Sequence, residues 1–177
     1  MITGRRRFNL YLLATLVTVL ACGCQTAKNK KDKQLATLRI HLESSAADLD
    51  RSIQVPIYRE RPVQVQVQRD PVLTEAHVAS ARVIDVLGGF DLMIQLNREG
   101  TFLLQQYSAT YPGKHFAVFS QFGEKGKESR WLAAPRFGRL ISDGIIQFTP
   151  DCSHEEADEI VKGLNNVAKK NESNEKW

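Results

Sequence analysis

The sequence lacks the residue patterns that would reveal a metal site or a nucleophilic active site. Its four histidines have no ligand spacing, because the residue that would complete His-Glu-x-x-His after His154 is Asp158. No Gly-x-Ser-x-Gly motif is present. Only three cysteines occur, and Cys152 has no histidine nearby at a catalytic spacing. We therefore expect no metal ion, no cofactor and no catalytic residues, which indicates a protein that is not an enzyme.

The sequence also lacks an apolar run of the roughly 20 residues that a membrane-spanning helix needs. The run at residues 10–21 is shorter, and Thr15 and Thr18 interrupt it. It follows three arginines, Arg5 to Arg7, and ends in small residues. A basic start, a short apolar segment and small residues at its end are typical of a secretory signal.

The end of this run resembles the lipobox of bacterial lipoproteins, whose cysteine becomes the new N-terminus and carries a diacylglyceryl group. Val19-Leu20-Ala21-Cys22 fits the pattern best, so residues 1–21 are predicted to be a lipoprotein signal peptide and Cys22 the lipidated residue. Cys24 is the alternative, and an ordinary signal peptide with incidental cysteines remains a third reading. We expect a lipid-anchored protein on the inner or outer membrane of a bacterium, with its domain in the periplasm or outside the cell.

The formal charge of +4 overstates how basic the folded part is. The leader arginines carry +3, and the lysine-rich residues 22–33, a predicted polar tether, carry another +3, which leaves −2 on the remainder. This removes the argument for a nucleic-acid partner. Residues 34–170 suit one domain with a real core, and residues 171–177 are predicted to be a disordered tail.

Alternating apolar and polar residues predict strands over residues 37–43, 53–57 and 63–68, with Pro56 and Pro62 confining the last two to an edge or to their first residues. Later strands are predicted at 90–96, 115–122, 130–134 and 145–148. Three helices are expected: one at about 74–85, one at 98–109 and one from Ser153, which has the spacing of a capping box with Glu156. Asn97 is expected to cap the second helix, and Phe102 and Leu103 are expected to be its buried residues. The expected fold is α+β, a mostly antiparallel sheet with about three helices packed over it.

The segment 71–170 resembles the head of the first periplasmic domain of SecD, the accessory subunit of the bacterial preprotein translocase. The matching residues keep the order and spacing of that family: Val72-Leu73-Thr74, the predicted helix from Ala76 to Asp85, Leu92 to Gly100, Phe102, Thr110, Phe116 to Phe119, Ala134-Pro135, Ile141, Gly144, Ile146, Phe148, Glu155-Glu156-Ala157 and Leu164. The resemblance implies a SecDF head-like fold and contact with extracytoplasmic polypeptides. It does not imply export activity, since membrane spans follow this region in SecD and we expect a lipid anchor in their place.

Six residues are candidates for contact with a partner. Aromatic residues near an edge strand can accept an extended peptide by strand addition, and arginines can contact an acidic partner. The candidates are Tyr107, Tyr111, Arg130, Trp131, Arg136 and Phe137. The alternative is that the aromatic residues fill the core and the arginines lie on a solvated strand face.

The sequence thus favours a lipoprotein that binds envelope proteins or exported polypeptides and has an accessory role in protein export. A structural scaffold that bridges the membrane and partner complexes is the second hypothesis. A small hydrolase with an unfamiliar site is the third.

Overall fold

The computed structural model describes residues 34–45, 49–58 and 60–174. The predicted lipidation residues, Cys22 and Cys24, and the 22–33 tether lie outside the described residues. From Gln34 onward the chain forms one compact unit.

Strands dominate the described part of the chain, and two α-helices interrupt them. The elements in chain order are β1 (Thr37–Leu42), β2 (Ser52–Ile57), β3 (Val63–Gln68), β4 (Leu73–Thr74), β5 (Val78–Val86), β6 (Gly89–Leu96), α1 (Arg98–Thr110), β7 (Phe116–Phe122), β8 (Glu128–Ala133), β9 (Ile145–Phe148) and α2 (His154–Asn174).

Two antiparallel sheets supply most of the main core. One has the strand order β4-β1-β7-β8 and the other β5-β6-β9. Together with both helices, their inner faces bury one cluster that includes Leu38, Ile40, Leu92, Ile94, Leu104, Phe122, Leu132, Ile160 and Leu164. The predicted α+β class with mostly antiparallel strands is confirmed.

A two-stranded ribbon, β2 and β3, covers the outer face of the four-stranded sheet. Val55, Ile57 and Val67 of the ribbon bury a second apolar cluster against Ala117 of β7. This cover explains why His41 on that outer face is buried, although the alternation of β1 predicted a solvated position. Pro56 is exposed on β2, which among the described strands pairs with β3 alone, and this suits a residue without an N–H.

The predicted helix at 74–85 is wrong, because most of this segment forms strand β5. Thr74 precedes only a three-residue 3-10 turn, Glu75–His77. β5 then pairs with β6 from Val78, opposite Leu96, to Val86. Its β-branched residues suit a pleated strand, and Gly88, at φ 90°, forms the turn into β6. The described residues therefore contain two α-helices instead of about three.

Helix α1 begins where the sequence predicts but turns a different face to the core. Asn97 Oδ1 accepts a hydrogen bond from Gly100 N–H at 2.9 Å, which confirms the predicted cap. Phe102, expected to be buried, is 67% exposed. Gly100 lies so close to His77 that a Cβ atom there would be 2.8 Å from His77 Cβ. This contact turns the face containing Gly100 and Leu104 inward.

Helix α2 confirms the predicted capping box. Ser153 N–H donates to Glu156 Oε2 at 2.7 Å, and Glu156 N–H donates to Ser153 Oγ at 3.2 Å. Its buried residues recur at helical spacing: Ala157, Ile160, Leu164 and Ala168. The helix continues to Asn174, so the predicted disordered tail is wrong for residues 171–174, while residues 175–177 lie outside the described part.

Candidate functional site: the β8 edge

Strand β8 is an edge strand with unpaired backbone groups. Phe116 N–H donates to Pro135 O, so alternate residues of β7 direct their backbone groups toward β8. Arg130 lies opposite Ser120 in this register. Ser129 and Trp131 therefore point their N–H and C=O groups away from β7, and no strand in the described part of the chain pairs with them. We call these backbone groups of Ser129 and Trp131 the β8 edge.

The β8 edge ends at a bulge. The register shifts between Val118 and Phe119 on β7, which leaves Leu132 as an extra residue on β8. Leu132 O accepts a hydrogen bond from Asp151 N–H at 2.7 Å. The segment leading into α2 thus closes the edge beyond Trp131.

The Trp131 side chain lies on the outer face of the sheet, under the ribbon. It is partly buried against the ribbon cluster. Its ring meets His41 edge-to-face and Phe119 at a tilt, with ring centroids 5.1 Å apart in each pair. These contacts hold the indole in place and leave part of it exposed beside the β8 edge.

His41 supports Trp131 from a buried position, at 6% exposure. Its Nδ1 lies 2.9 Å from Gln68 O, so the neutral ring donates from Nδ1. Burial lowers the pKa of His41 and outweighs the hydrogen bond to Gln68 O, which raises it. A neutral imidazole therefore joins the ribbon to the sheet.

Arg130 lies on the opposite face of β8 and is engaged within the fold. Its Nη1 and Nη2 donate to the two carboxylate oxygens of Glu156 at 2.7 and 2.9 Å. The guanidinium also lies 5.7 Å from the centre of the Phe122 ring. The hydrogen bonds to Glu156 raise the pKa of Arg130 above its usual value. Arg130 thus connects β8 to the first turn of α2. Because Glu156 already engages its guanidinium group, the structure does not favour Arg130 as a contact for a partner.

Three other candidates lie outside β8: Phe137 follows it in the chain, and Tyr107 and Tyr111 lie at the C-terminal end of α1. Phe137 is 2% exposed and stacks on Phe116 with centroids 4.6 Å apart, so its ring is not available to a partner. Tyr107 and Tyr111 stack at 6.5 Å and are partly buried against the main core. Of the six candidates, Trp131 and Arg136 are the two that combine exposure with a place on the outer face.

Arg136 belongs to a chain of three side chains that we call the Arg136 relay: Glu43, His115 and Arg136. Glu43 Oε2 accepts from His115 N–H at 2.7 Å and lies 2.9 Å from His115 Nδ1. Arg136 Nε donates to His115 Nε2 at 2.8 Å. Burial raises the pKa of Glu43, but the hydrogen bonds from the backbone and ring of His115 outweigh it and lower the pKa overall. Sequence reasoning did not identify Glu43 or His115 as site residues.

The remaining polar clusters serve turns and strand faces. Asp143 Oδ1 accepts from Ile145 N–H at 3.0 Å, and this hydrogen bond lowers the pKa of Asp143. Asp91 accepts hydrogen bonds from the side chains of Gln147 and Thr149 at 2.9 and 2.7 Å. Within residues 34–45, 49–58 and 60–174, no three or more His, Cys, Asp or Glu residues are placed to hold a metal ion. Over the same residues, no helix has both the length and the apolar character to cross a bilayer.

Comparison with known proteins identifies the fold. No protein-family model and no curated protein sequence matches the chain. Among solved structures, a SecDF described as a membrane component that enhances protein export is 20% identical over 80% of this chain and 67% of that one, with a TM-score of 0.54. SecDF in a super-membrane-facing form is 21% identical over 80% of this chain, with a TM-score of 0.52.

The chain spans only 21% of the length of that second SecDF. The likeness covers more of this chain than the segment 71–170 on which the sequence motifs rest, and it therefore extends to the strands that precede residue 71. The predicted resemblance is confirmed at the level of fold: this chain contains a domain with a SecD-like fold.

Proposed function

We propose that this protein is a lipid-anchored extracytoplasmic protein that binds extended segments of exported or envelope polypeptides along the β8 edge. It acts as a binding protein and not as an enzyme. Cys22 carries the lipid, and residues 22–33 connect it to the domain. A role as an accessory factor in protein export follows from this binding.

The observation that carries the proposal is the unpaired edge beside Trp131. Ser129 and Trp131 offer backbone donors and acceptors at the two-residue spacing of a strand. Another extended backbone matches such a row, which is how strand addition supplies affinity while side-chain pockets supply selectivity. The partly exposed indole of Trp131 adds an apolar contact at the same place.

The fold likeness supports the choice of partner. The SecDF with the TM-score of 0.54 is described as a membrane component that enhances protein export. An open strand edge accepts a partner with an extended backbone. The predicted signal peptide and Cys22 would place this domain in the same extracytoplasmic space.

The test is a binding titration of the full-length protein in lipid nanodiscs with a labelled, reduced and unfolded polypeptide. Ser129→Pro removes the outward N–H and places a ring on the edge, while the ladder with β7 keeps its hydrogen bonds. We expect Ser129→Pro and Trp131→Ala each to weaken binding about tenfold.

Gln147→Pro in β9 is the matched control. Leu96 N–H donates to Gly144 O, so Gln147 also directs its N–H away from β6, the strand that pairs with β9 in the described part of the chain. We expect wild-type affinity from this variant. Equal loss in the Ser129 and Gln147 variants would place the binding elsewhere. No binding by the wild type at concentrations on the order of tens of micromolar would refute the proposal and favour the scaffold.

A further inference from the structure

The Arg136 relay fixes one edge of a guanidinium group. Arg136 Nε donates to His115 Nε2, so this nitrogen of the ring carries no proton. The ring proton is then on Nδ1, which donates to Glu43 Oε2 at 2.9 Å. Glu43 also accepts from the His115 backbone at 2.7 Å, which holds the carboxylate in place. Each member thus orients the next.

The two terminal amino groups of Arg136 remain available. In the part of the chain that the structure describes, Arg136 has a hydrogen bond from Nε alone, and its side chain is exposed. Its Nη1 and Nη2 atoms form a planar pair of donors that matches the two oxygens of a carboxylate. Because the side chain is already held by His115, less conformational entropy is lost when a ligand binds.

Arg136 follows the β8 edge in the chain, and its side chain lies on the same face of the sheet as the Trp131 ring. After β8, the chain continues beside β7, since Phe116 N–H donates to Pro135 O and Phe137 N–H donates to Lys114 O. His115 lies directly opposite Arg136 in this pairing. Arg136 follows Trp131 by five residues, a span on the order of 16 Å in extended backbone.

The surroundings of the β8 edge limit where a polypeptide paired with it can continue. Leu132 O already accepts a hydrogen bond from Asp151 N–H, so a bound chain leaves the edge after Trp131. The inner side is occupied by the ion pair of Arg130 with Glu156 at the start of α2. On the outer side, Trp131 and Ala134 pack against the ribbon cluster, and Arg136, two residues further along the chain, is exposed.

We propose that Arg136 is the specificity point of the β8 edge and binds a carboxylate of the polypeptide, about five residues from the segment that pairs with Ser129 and Trp131. This inference rests on the proposed function, because it names the chemistry that the same site selects. His115 and Glu43 are positioning residues, and Arg136 makes the contact. The carboxylate is an acidic side chain or the terminal carboxyl group of the bound chain.

Three labelled peptides of one extended sequence distinguish these sources. The first carries Asp about five residues from a central aromatic residue and has an amidated C-terminus. The second has Asn at that place and a free terminal carboxylate at the same distance. The third has Asn and an amidated C-terminus. We expect the full-length protein in nanodiscs to bind the first or second peptide about tenfold more tightly than the third.

Variants identify the group responsible. Arg136→Gln is expected to abolish the preference, and Arg136→Lys to keep part of it, since lysine retains the charge without the fork. His115→Ala should reduce the ratio of affinities for acidic and neutral peptides without changing the affinity for the neutral one. Glu43→Gln, which keeps an acceptor for Nδ1, should retain more of that ratio than Glu43→Ala. Arg139→Gln, another exposed arginine, is the control and should change nothing.

Two failures are distinguishable. If none of the three peptides binds, the proposed function fails and the inference fails with it. If all three bind equally, or if Arg136→Gln keeps the preference, the inference alone is wrong and binding at the β8 edge stands.

Discussion

The side-chain amide of Asn165 forms two hydrogen bonds with the backbone of Ala81. Its Oδ1 accepts from Ala81 N–H at 2.8 Å, and its Nδ2 donates to Ala81 O at 2.9 Å. Ala81 lies on β5, an edge strand, so α2 satisfies at this position the backbone groups that a neighbouring strand would otherwise take. The contrast with the β8 edge is direct, because Ser129 and Trp131 have no such cover in the described part of the chain.

Replacing Asn165 with alanine should destabilise the domain by about 2–3 kcal/mol, since two partly buried backbone groups lose their partners. Urea unfolding followed by circular dichroism measures this. Asn166→Ala is the matched control, because it removes one bond, from Asn166 Nδ2 to Gln34 O at 2.8 Å, and should cost about 1 kcal/mol. Equal losses in the two variants would contradict the double role of Asn165.

Gly163→Ala should destabilise the protein, against the usual helix preference. Alanine in a helix is favoured over glycine by about 1 kcal/mol. At Gly163, however, a Cβ atom would lie 2.6 Å from both Cβ and N of Ala36. We expect a net loss of about 1–3 kcal/mol from the overpacked contact between α2 and the start of β1. Lys169→Ala, on an exposed position of the same helix, should be close to neutral, and a stabilised Gly163→Ala variant would disprove the close contact.

Replacing Arg130 and replacing Glu156, which form an ion pair, should lower the free energy of unfolding by different amounts. Arg130→Ala removes the pair and a long hydrogen bond of 3.3 Å from Nη1 to Asp151 O, whereas Glu156→Ala removes the pair and the acceptor for Ser153 N–H in the capping box. With side-chain exposures of 16% and 26%, the pair is partly shielded from water. We expect about 1–2 kcal/mol for Arg130→Ala and about 1 kcal/mol more for Glu156→Ala. The double variant should cost less than the sum, and strict additivity in urea unfolding would show that the pair contributes nothing.

The free energy of unfolding should decrease as the pH is lowered, and the first decrease should come from His41. The pKa of His41 is lowered from 6.5 in the folded state, so the unfolded chain binds a proton more readily than the folded one. The contribution of neutral His41 is therefore complete above pH 6.5 and is lost as the pH falls through the folded-state pKa. Glu43 and Asp143, whose pKa values are also lowered, add losses below about 4.5.

Urea midpoints at a series of pH values measure this dependence. His41→Asn should remove the first step and keep the second. A wild-type midpoint that stays level between pH 7 and pH 5 would contradict the assignment to His41.

Elements whose signals lie within a few residues were predictable from the sequence. The Asn97 cap and the Ser153–Glu156 capping box depend on contacts three residues apart, and both are confirmed. The same holds for the ribbon strands, whose alternation is local. The segment at 74–85 shows the limit of such local signals. Its apolar spacing fits a helix, but most of it forms a strand because it pairs with β6.

The candidate site could be predicted only in part. The strand at residues 130–134 and Trp131 as a candidate contact follow from the sequence, whereas the edge position of the strand follows from the strand order of the sheet. The engagement of Arg130 and the burial of Phe137 do not, since each depends on a partner far away in the chain or across a turn. In the Arg136 relay, Glu43 and His115 are 72 positions apart in the sequence, and His115 and Arg136 are 21 apart. No local sequence pattern indicates contacts over such separations.

The sequence by itself determined the α+β class and the helix caps, because each of these is encoded in contiguous residues. Tertiary structure alone decided which backbone groups at the strand edges are covered. The amide of Asn165 covers Ala81, and Asp151 covers Leu132, while nothing in the described part of the chain covers Ser129. The reason is physical: a backbone donor or acceptor is satisfied by whatever packing brings within about 3 Å, and packing depends on residues from the whole chain.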